Sequence, residues 1–230
     1  KPSLPDIIQN GGTPMAQTQL VLWDWNGTLL NDLQLSIQAL NRLLAENSYP
    51  QQFDTRAYRK IFGFPIQDYY RRAGFDFSRH PYDRLAQRYM EMYIPASEGC
   101  RLSPGAKDVL AQLQKQGMRQ VILSASPLDL LRHQVSAQGL EGFFEKLLGL
   151  SDIYAVSKVQ LGVDWMQQSG IDPQSAVMVG DSLHDAEVAA AMGVRCVLYA
   201  GGHQSPSRLA QAGCPVIERL RQLPQLLAEE

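Results

Sequence analysis

The sequence predicts an α/β fold in which a doubly wound parallel sheet carries a small helical cap domain. After residue 100, short apolar segments typical of strands alternate with segments of helix length. Strands separated by helices form right-handed crossovers, and these build a parallel sheet covered on both faces, a Rossmann-like core. Residues 33–100 show no strand pattern and hold 7 of the 9 tyrosines and 5 of the 7 phenylalanines. This change in composition indicates a separate helical unit.

The first core strand is predicted at Leu20–Trp23, which is apolar throughout and is followed at once by a turn composition from Asp24 to Thr28. A strand therefore delivers Asp24 to a loop. Asp32 then precedes an amphipathic helix, because apolar residues recur at helical spacing at Leu33, Ile37, Leu40 and Leu44. Three more helix-like stretches follow in the cap, at residues 55–62, 66–73 and 82–93.

Regular alternation of helix and strand begins after the cap. A helix is predicted to start after Ser103, a good N-cap followed by Pro104, and to end near Gly117. Strands are predicted at residues 120–123, 146–148, 176–179 and 195–199. The helices between them are predicted to end at capping glycines, Gly139, Gly170 and Gly193.

These patterns divide the chain into two units and an extra segment. Residues 15–32 and 101–230 are assigned to the core, and residues 33–100 to the cap. Residues 1–14 fit neither unit and are interpreted as a tag or a disordered arm before a natural start at Met15.

Composition narrows the class of function. The net charge is −2 and no Lys/Arg block occurs, so we expect no binding to nucleic acid or membrane by bulk electrostatics. No apolar run approaches the ~18 to 20 residues that a membrane span requires, and the first residues lack a signal-peptide pattern. The 3 cysteines are odd in number and widely spaced, which argues against a disulfide framework or a cysteine metal site. The prediction is a cytoplasmic protein.

Polar side chains follow three of the predicted strands. Asp24 follows the first, Ser124 the second, and Asp181 with Asp185 the fourth. Ligands of open α/β sheets bind beyond the carboxyl ends of the strands, so we expect these side chains to line one site. Carboxylates at adjoining strand ends repel each other unless a cation lies between them, and hard oxygen donors favour magnesium over zinc. The sequence therefore predicts a magnesium site.

Four motifs, in order, resemble those of the haloacid dehalogenase superfamily. Residues 24–28 read D-W-N-G-T and match the D-x-D-G-T signature at every position but Asn26. Ser124 matches the second motif, a Ser or Thr after an apolar strand, and Lys158 the third, a lysine that opens a later helix. Residues 180–185, G-D-S-L-H-D, match the fourth, G-D-x-x-x-D. The resemblance covers the chain from Gln19 onward.

The resemblance implies a magnesium-dependent phosphatase that acts on a small phosphorylated metabolite, in the general style of phosphoglycolate phosphatase. Asp24 would be the nucleophile and form an aspartyl-phosphate. The carboxylates of Asp24 and Asp181 and the backbone carbonyl of Asn26 would hold magnesium, with Asp185 binding it directly or through water.

Further residues would bind the substrate by the same resemblance. Ser124, Lys158 and the backbone at Ala125 would hold the phosphoryl oxygens. Gly63, in the Phe62–Pro65 segment that is similar to the family's specificity loop, would contact the leaving group. The 9 basic residues of the cap could meet an anionic leaving group such as glycolate. Which phosphate ester is used, and whether the protein is a monomer or a homodimer, stay open.

Asn26 is the departure from the family pattern, because family phosphatases carry there the acid that protonates the leaving oxygen and later activates water. General acid–base catalysis contributes ~10² to 10⁴-fold, so Asn26→Asp is expected to raise turnover of alkyl phosphates. His184 is a candidate substitute acid.

Two alternatives stay open as well. One is a regulatory protein that binds phosphate and metal but turns over poorly. The other is a phosphonatase-like hydrolase, although its cap lysine, expected three residues after a glycine, would fall on Ile66, and Lys60 lies before Gly63.

Overall fold

The structure is a computed structural model that describes residues 17–151 and 157–229. The segment interpreted as a tag or disordered arm, residues 1–14, and the start at Met15 lie outside the described residues. Eight strands are found in the described part: β1 (Leu20–Trp23), β2 (Leu30–Asn31), β3 (Arg101–Leu102), β4 (Arg119–Pro127), β5 (Lys146–Leu150), β6 (Ala176–Gly180), β7 (Arg195–Tyr199) and β8 (Val216–Ile217).

The helices of the described chain fall into two groups. Those between β2 and β3 are α1 (Leu33–Glu46), α2 (Thr55–Ile61), α3 (Ile66–Ala73) and α4 (Tyr82–Ser97). Those after β3 are α5 (Ala106–Lys115), α6 (Leu128–Ala137), α7 (Lys158–Ser169), α8 (Leu183–Met192), α9 (Pro206–Leu209) and α10 (Leu223–Ala228). Single turns of 3₁₀ helix lie at Glu141–Phe143, Pro173–Ser175, Ala210–Ala212 and Leu220–Gln222.

Six of the strands form one parallel sheet in the order β5-β4-β1-β6-β7-β8. The α/β fold class and its parallel Rossmann-like sheet are therefore confirmed. β1 lies in the middle of the sheet, and its side chains alternate between two buried clusters: Val21 and Trp23 pack on one face, Leu20 and Leu22 on the other. Burial on both faces explains why this strand is apolar at every position.

The register of the strands places the ends of β1 and β6 at the same level in the sheet. Trp23, the last residue of β1, is level with Ile122 of β4 and Val179 of β6. The residues that follow β1 and β6 therefore meet at the same edge of the sheet.

The helices α1 to α4 form an insert between β2 and β3, hereafter the helical insert, residues 33–100. They pack around their own apolar cluster, which includes Leu40, Tyr58 and Tyr70. The predicted apolar face of α1 is confirmed, since Leu33, Ile37, Leu40 and Leu44 are all buried. No helix of the described residues combines the length and apolar character needed to cross a bilayer.

Some local predictions were wrong or incomplete. α5 begins at Ala106 rather than directly after Ser103, because Gly105 adopts a left-handed conformation with φ of 82° that a helix cannot include. β4 runs to Pro127, four residues beyond the predicted end. The antiparallel pair of β2 and β3 was not predicted, since strands of 2 residues show no alternation. The capping glycines Gly170 and Gly193 are confirmed.

Candidate active site

Three buried carboxylates meet at the carboxyl edge of the sheet. Asp24 follows β1, Asp181 follows β6, and Asp185 lies in the first turn of α8. One oxygen from each lies within 4.8 Å of the others. The backbone N–H of Asp24 donates to the carbonyl of Val179 at 2.8 Å, which ties the loop after β1 to the end of β6. The structure thus brings together the three carboxylates that the sequence predicted as one site.

Lys158, at the start of α7, enters this cluster from the side. Its Nζ donates to Asp24 Oδ1 at 2.5 Å and to Asp185 Oδ1 at 2.6 Å. The side chain is only 4% exposed. Burial alone would lower the pKa of this ammonium, but the carboxylates of Asp185 and Asp24 raise it above its ordinary value. Lys158 is therefore positively charged at neutral pH.

The other oxygens of Asp24 and Asp185 are held by groups of their own loops. Thr28 Oγ1 donates to Asp24 Oδ2 at 3.0 Å. Asp185 Oδ2 accepts from Ser182 Oγ at 2.7 Å and from the backbone N–H of Asp181 at 3.1 Å. Both carboxylates are consequently fixed in orientation.

The three carboxylates differ in acidity. Burial, with the negative charge of Asp185, raises the pKa of Asp24 to about 6 against the pull of Lys158. Burial also raises the pKa of Asp181 to about 8, and the charges of Asp24 and Asp185 add to this effect. Burial opposes ionisation of Asp185 too, but Lys158 holds the pKa of Asp185 below its ordinary value. Full ionisation of the cluster at neutral pH thus calls for a further positive charge.

A magnesium ion fits this requirement. The donor atoms are hard carboxylate oxygens with no sulfur or imidazole ligand among the three, the set that magnesium prefers. Lys158 contacts Asp24 and Asp185, which leaves Asp181 without a cationic side chain in direct contact with its carboxylate among the described residues.

Asn26 is held by three hydrogen bonds through its amide. Its Nδ2 donates to Asp32 Oδ2 at 3.0 Å and to the Tyr93 hydroxyl at 2.7 Å. Its Oδ1 accepts from Ser126 Oγ at 2.7 Å. The amide thus serves as donor on one side and acceptor on the other.

Asp32 and His203 are site residues that the sequence analysis missed. His203 Nε2 lies 3.1 Å from Asp32 Oδ1, and both side chains are buried. Burial would lower the pKa of His203, but the Asp32 carboxylate raises it to about 9. The two residues form a buried ion pair directly beside the D-W-N-G-T loop, since Asp32 Oδ1 also accepts from the backbone N–H of Gly27 at 2.8 Å.

Ser124 and Ala125 lie inside β4, which is longer than predicted. Ser124 is fully buried, and its Oγ accepts from the backbone N–H of Ser126 at 3.0 Å. Ser126, rather than Ser124, makes the side-chain contact with Asn26. The roles of Ser124 and Ala125 in phosphate binding stay predictions.

Comparison with known proteins decides the family. The family model for haloacid dehalogenase-like hydrolases matches residues 21–199. A phosphoglycolate phosphatase of Pseudomonas putida strain KT2440 is 29% identical over 220 residues, covering 91% of this chain and 80% of that protein. A probable phosphoglycolate phosphatase of Pseudomonas putida is 30% identical, covering 78% of this chain and 75% of its own length. The chain belongs to the haloacid dehalogenase-like hydrolase family.

The fold of this hydrolase agrees with that assignment. The crystal structure of a predicted phosphatase from Clostridium acetobutylicum superposes with a TM-score of 0.81 at 19% identity, covering 94% of this chain and all of the other. The relatives named above are phosphatases, and this hydrolase is an enzyme of that kind.

In this hydrolase the segment around Gly63 packs on the start of α8, on α9 and on the loop between β7 and α9. The carbonyl of Phe62 accepts from Arg208 Nη1 at 2.5 Å and from Gln204 Nε2 at 3.2 Å. Phe64 stacks on His184 with ring centroids 4.3 Å apart. His184 also bonds Glu187 through Nδ1 at 3.0 Å, so its contacts are with the insert and its own helix. The insert is in direct contact with the core beside the carboxylate cluster.

Gly27 occupies a position where a side chain does not fit. Its φ is 77°, and a Cβ would lie 2.2 Å from Asp181 Oδ2 and 2.3 Å from His203 Cδ2. We expect Gly27→Ala to lower the free energy of unfolding and to reduce activity. A left-handed backbone costs a residue with a side chain ~1–2 kcal/mol, and overpacking adds ~1–3 kcal/mol. The control is Gly117→Ala, with φ of 81° and open space around it. Equal losses of unfolding free energy in the two variants would contradict this steric account.

Proposed function

We propose that this hydrolase is a magnesium-dependent phosphatase that cleaves a small-molecule phosphate monoester through an aspartyl-phosphate on Asp24. The observation that carries the proposal is the pairing of a buried carboxylate with a buried ammonium at the edge of the sheet: Lys158 Nζ lies 2.5 Å from Asp24 Oδ1. A phosphate dianion can approach a carboxylate only if positive charge is already present to offset the repulsion. Lys158 supplies part of that charge.

In the first half-reaction one oxygen of Asp24 forms a bond to phosphorus, and the bond between phosphorus and the ester oxygen breaks. The ester oxygen leaves with the bonding electron pair and takes a proton from water, which releases the alcohol. Thr28 and Lys158 each hold one oxygen of Asp24, which orients the carboxylate for attack. Lys158, the Ser124 hydroxyl and the backbone at Ala125 are proposed to hold the phosphoryl oxygens. In the second half-reaction water hydrolyses the acyl phosphate and restores Asp24.

Asp24, Asp181, the backbone carbonyl of Asn26 and Asp185 would hold magnesium, Asp185 directly or through water. When bound, the ion supplies positive charge to the phosphoryl oxygens and to the ionised carboxylates.

Residues 33–100 are proposed to act as a cap that closes over the core and selects the leaving group through the loop at Gly63. Cationic groups surround this loop. Arg59 donates to the carbonyls of Gly201 and Gly202, Arg72 to that of Ile61, and Arg208 to those of Arg59 and Phe62. In the described part of the chain these three guanidinium groups bond to carbonyls only, and none pairs with a carboxylate. This local excess of positive charge supports an anionic leaving group such as glycolate.

The name of the curated relatives, phosphoglycolate phosphatase, supports the same choice of substrate. We propose that the enzyme acts in the cytoplasm on a small phosphorylated metabolite, without nucleic-acid or membrane partners, as a monomer or homodimer.

The experiment is release of inorganic phosphate by the purified chain from 2-phosphoglycolate, sugar phosphates, nucleoside monophosphates and p-nitrophenyl phosphate, each with magnesium. We expect release from at least one alkyl phosphate, with the highest kcat/KM for a small ester that carries a carboxylate. Failure to release phosphate from any ester would overturn the proposal.

Asn26 favours a second candidate, a regulatory protein that retains the metal and phosphate sites but turns over poorly. That candidate predicts binding of magnesium and of inorganic phosphate by calorimetry without steady-state release. A phosphonatase-like reaction would need a lysine from the insert, and Lys60 is the only lysine of residues 33–100. Lys60 is exposed in α2, and no contact among the described residues links it to the carboxylate cluster.

A further inference from the structure

Asp32 lies at the centre of a hydrogen-bonded network that joins the helical insert, the loop after β7 and the loop of residues 24–28. This last loop carries the proposed nucleophile Asp24 and is hereafter the nucleophile loop. Its Oδ1 accepts from the backbone N–H of Gly27 at 2.8 Å and from His203 Nε2 at 3.1 Å. Its Oδ2 accepts from the Tyr93 hydroxyl at 2.6 Å and from Asn26 Nδ2 at 3.0 Å. An ionised carboxylate accepts and does not donate, so all four partners act as donors.

His203 connects this carboxylate to the insert. Its Nδ1 lies 3.0 Å from the Tyr58 hydroxyl, and its ring lies 4.7 Å from the ring of Phe62. Its backbone N–H donates to Asp181 Oδ2 at 2.5 Å. One buried residue therefore touches α2 of the insert, Asp32 before α1 and a carboxylate of the candidate metal site.

We propose that Asp32 and His203 are positioning residues that couple the docked insert to the nucleophile loop, and that this arrangement requires an amide rather than a carboxylate at position 26. The proposal rests on the proposed phosphatase function. Two tyrosines of the insert, Tyr58 and Tyr93, reach the pair from different helices. Movement of the insert away from the core therefore removes the Tyr93 hydrogen bond from Asp32 and the Tyr58 hydrogen bond from His203. Asp32 is the carboxylate that holds Gly27 and Asn26.

The requirement for an amide follows from counting donors. Tyr93 already gives its hydroxyl hydrogen to Asp32, so the oxygen of Tyr93 can only accept from Asn26. A carboxylate at position 26 would face the Asp32 carboxylate at about the 3.0 Å of the present contact and the Tyr93 oxygen at about 2.7 Å. The new carboxylate would have no hydrogen to donate to Asp32 or to the Tyr93 oxygen. Two negative charges at that distance also repel each other.

This changes the expectation drawn from the sequence, where Asn26→Asp alone raises turnover. In the structure the acid at position 26 becomes compatible with its surroundings only if Asp32 becomes a donor. Asp32→Asn supplies that donor: its carbonyl can still accept from Gly27 and His203, and its amide can donate to the new carboxylate. The exchanged pair Asn26→Asp/Asp32→Asn reverses the direction of the three hydrogen bonds that join positions 26 and 32 to each other and to Tyr93. The hydrogen bonds from Gly27, His203 and Ser126 keep their directions.

The test is a cycle of four proteins: the native chain, Asn26→Asp, Asp32→Asn and the double variant. Steady-state kcat and KM for an alkyl phosphate, single-turnover rates and thermal unfolding are measured for each. We expect both single variants to unfold at lower temperature than the native chain and to show no gain in kcat. The double variant is expected to recover most of the lost melting temperature and to exceed each single variant in kcat by at least about tenfold, the lower range of acid–base contributions being ~10².

A second pair of variants tests the link to the insert. His203→Gln keeps a donor for Asp32 but loses the ring against Phe62 and Tyr58, while His203→Phe loses the donor as well. We expect kcat to be highest in the native chain, lower in His203→Gln and lowest in His203→Phe. The part of kcat that His203→Gln retains over His203→Phe measures the contribution of the hydrogen bond to Asp32. His133→Gln, at a side chain that is 62% exposed, is the matched control.

Effects on kcat and melting temperature that simply add in the double variant would overturn the coupling between positions 26 and 32. Equal kcat in His203→Gln and His203→Phe would overturn the positioning role of His203. Failure of the phosphatase function is a separate result: the native chain would release no phosphate, and thermal unfolding would still measure the coupling in all four proteins.

Discussion

Asp24→Asn is expected to abolish turnover while the protein stays folded. Asn cannot form the acyl phosphate, and removal of a covalent nucleophile costs on the order of 10⁴-fold or more in kcat. The amide keeps nearly the same volume. Its carbonyl oxygen can still accept from Lys158, and its NH2 can donate to the Thr28 hydroxyl. Phosphate release, rapid-quench trapping of the phosphorylated protein and thermal unfolding should be measured together.

The matched control is Asp108→Asn, which removes one charge from an exposed ion pair with Arg221 at 2.6 Å on the surface. Exposed pairs of this kind contribute little to stability, ~0–1 kcal/mol, so the control should retain activity. Phosphoryl-enzyme formation in Asp24→Asn would show that another residue is the nucleophile. Loss of activity accompanied by unfolding would leave the assignment to be tested with Asp24→Ser in the same assays.

The fold could be predicted from the sequence because its signals are local. Leu20–Trp23 is apolar at every position since both faces of β1 are buried, and the strands after residue 100 are separated by helices that end at Gly170 and Gly193. The start of α5 could not be placed correctly, because Ser103 and Pro104 form a good initiation signal. The backbone of Gly105 overrides that signal.

The candidate site also has a part that could be predicted from the sequence and a part that could not. Asp24, Asp181 and Asp185 follow apolar strands, so their approach could be inferred from strand ends alone. Asp32 and His203 are 171 residues apart, and Ser126 lies 100 residues from Asn26. The first contact depends on how the loop after β7 docks, and the second on how far β4 extends past its predicted end. Neither leaves a pattern in the sequence. Asp32 lies close to the D-W-N-G-T motif in the sequence. An acid so near the unexpected amide of Asn26 was the available signal that Asp32 belongs to the site.

The Asp24–Asp181–Asp185 cluster and the Asp32–His203 pair share Asp181 and the nucleophile loop but use different sources of positive charge. Lys158 supplies positive charge to the first, whereas His203 supplies it to the second. Lys158 contacts Asp24 and Asp185, and His203 pairs with Asp32, so three of these four buried acids have a cationic side chain in direct contact. A bound magnesium ion would supply the positive charge that Asp181 lacks.

Chelation of divalent ions is expected to remove activity, and magnesium to restore it. Without a divalent ion, burial holds the pKa of Asp181 at about 8 and that of Asp24 at about 6, both above the ordinary 3.8. Magnesium binds the ionised carboxylates, so protons compete with it. Affinity for magnesium should therefore fall as the pH is lowered through 8, by about tenfold per pH unit for one competing proton, and more steeply below 6.

Calorimetry at pH 7 in two buffers of different ionisation enthalpy measures this directly: about one proton should be released per magnesium bound, mostly from Asp181, whose pKa lies near 8.

Raised carboxyl pKa values also mean that the folded state binds more protons than the unfolded one. Stability without divalent ions should accordingly fall as the pH rises from about 4 to about 8, and magnesium should reverse that loss. Asp181→Asn removes the group with the higher pKa, so proton release at pH 7 should nearly vanish and magnesium should bind more weakly. Undiminished activity after exhaustive chelation, or magnesium binding independent of pH between 6 and 8, would exclude this carboxylate cluster as the metal site.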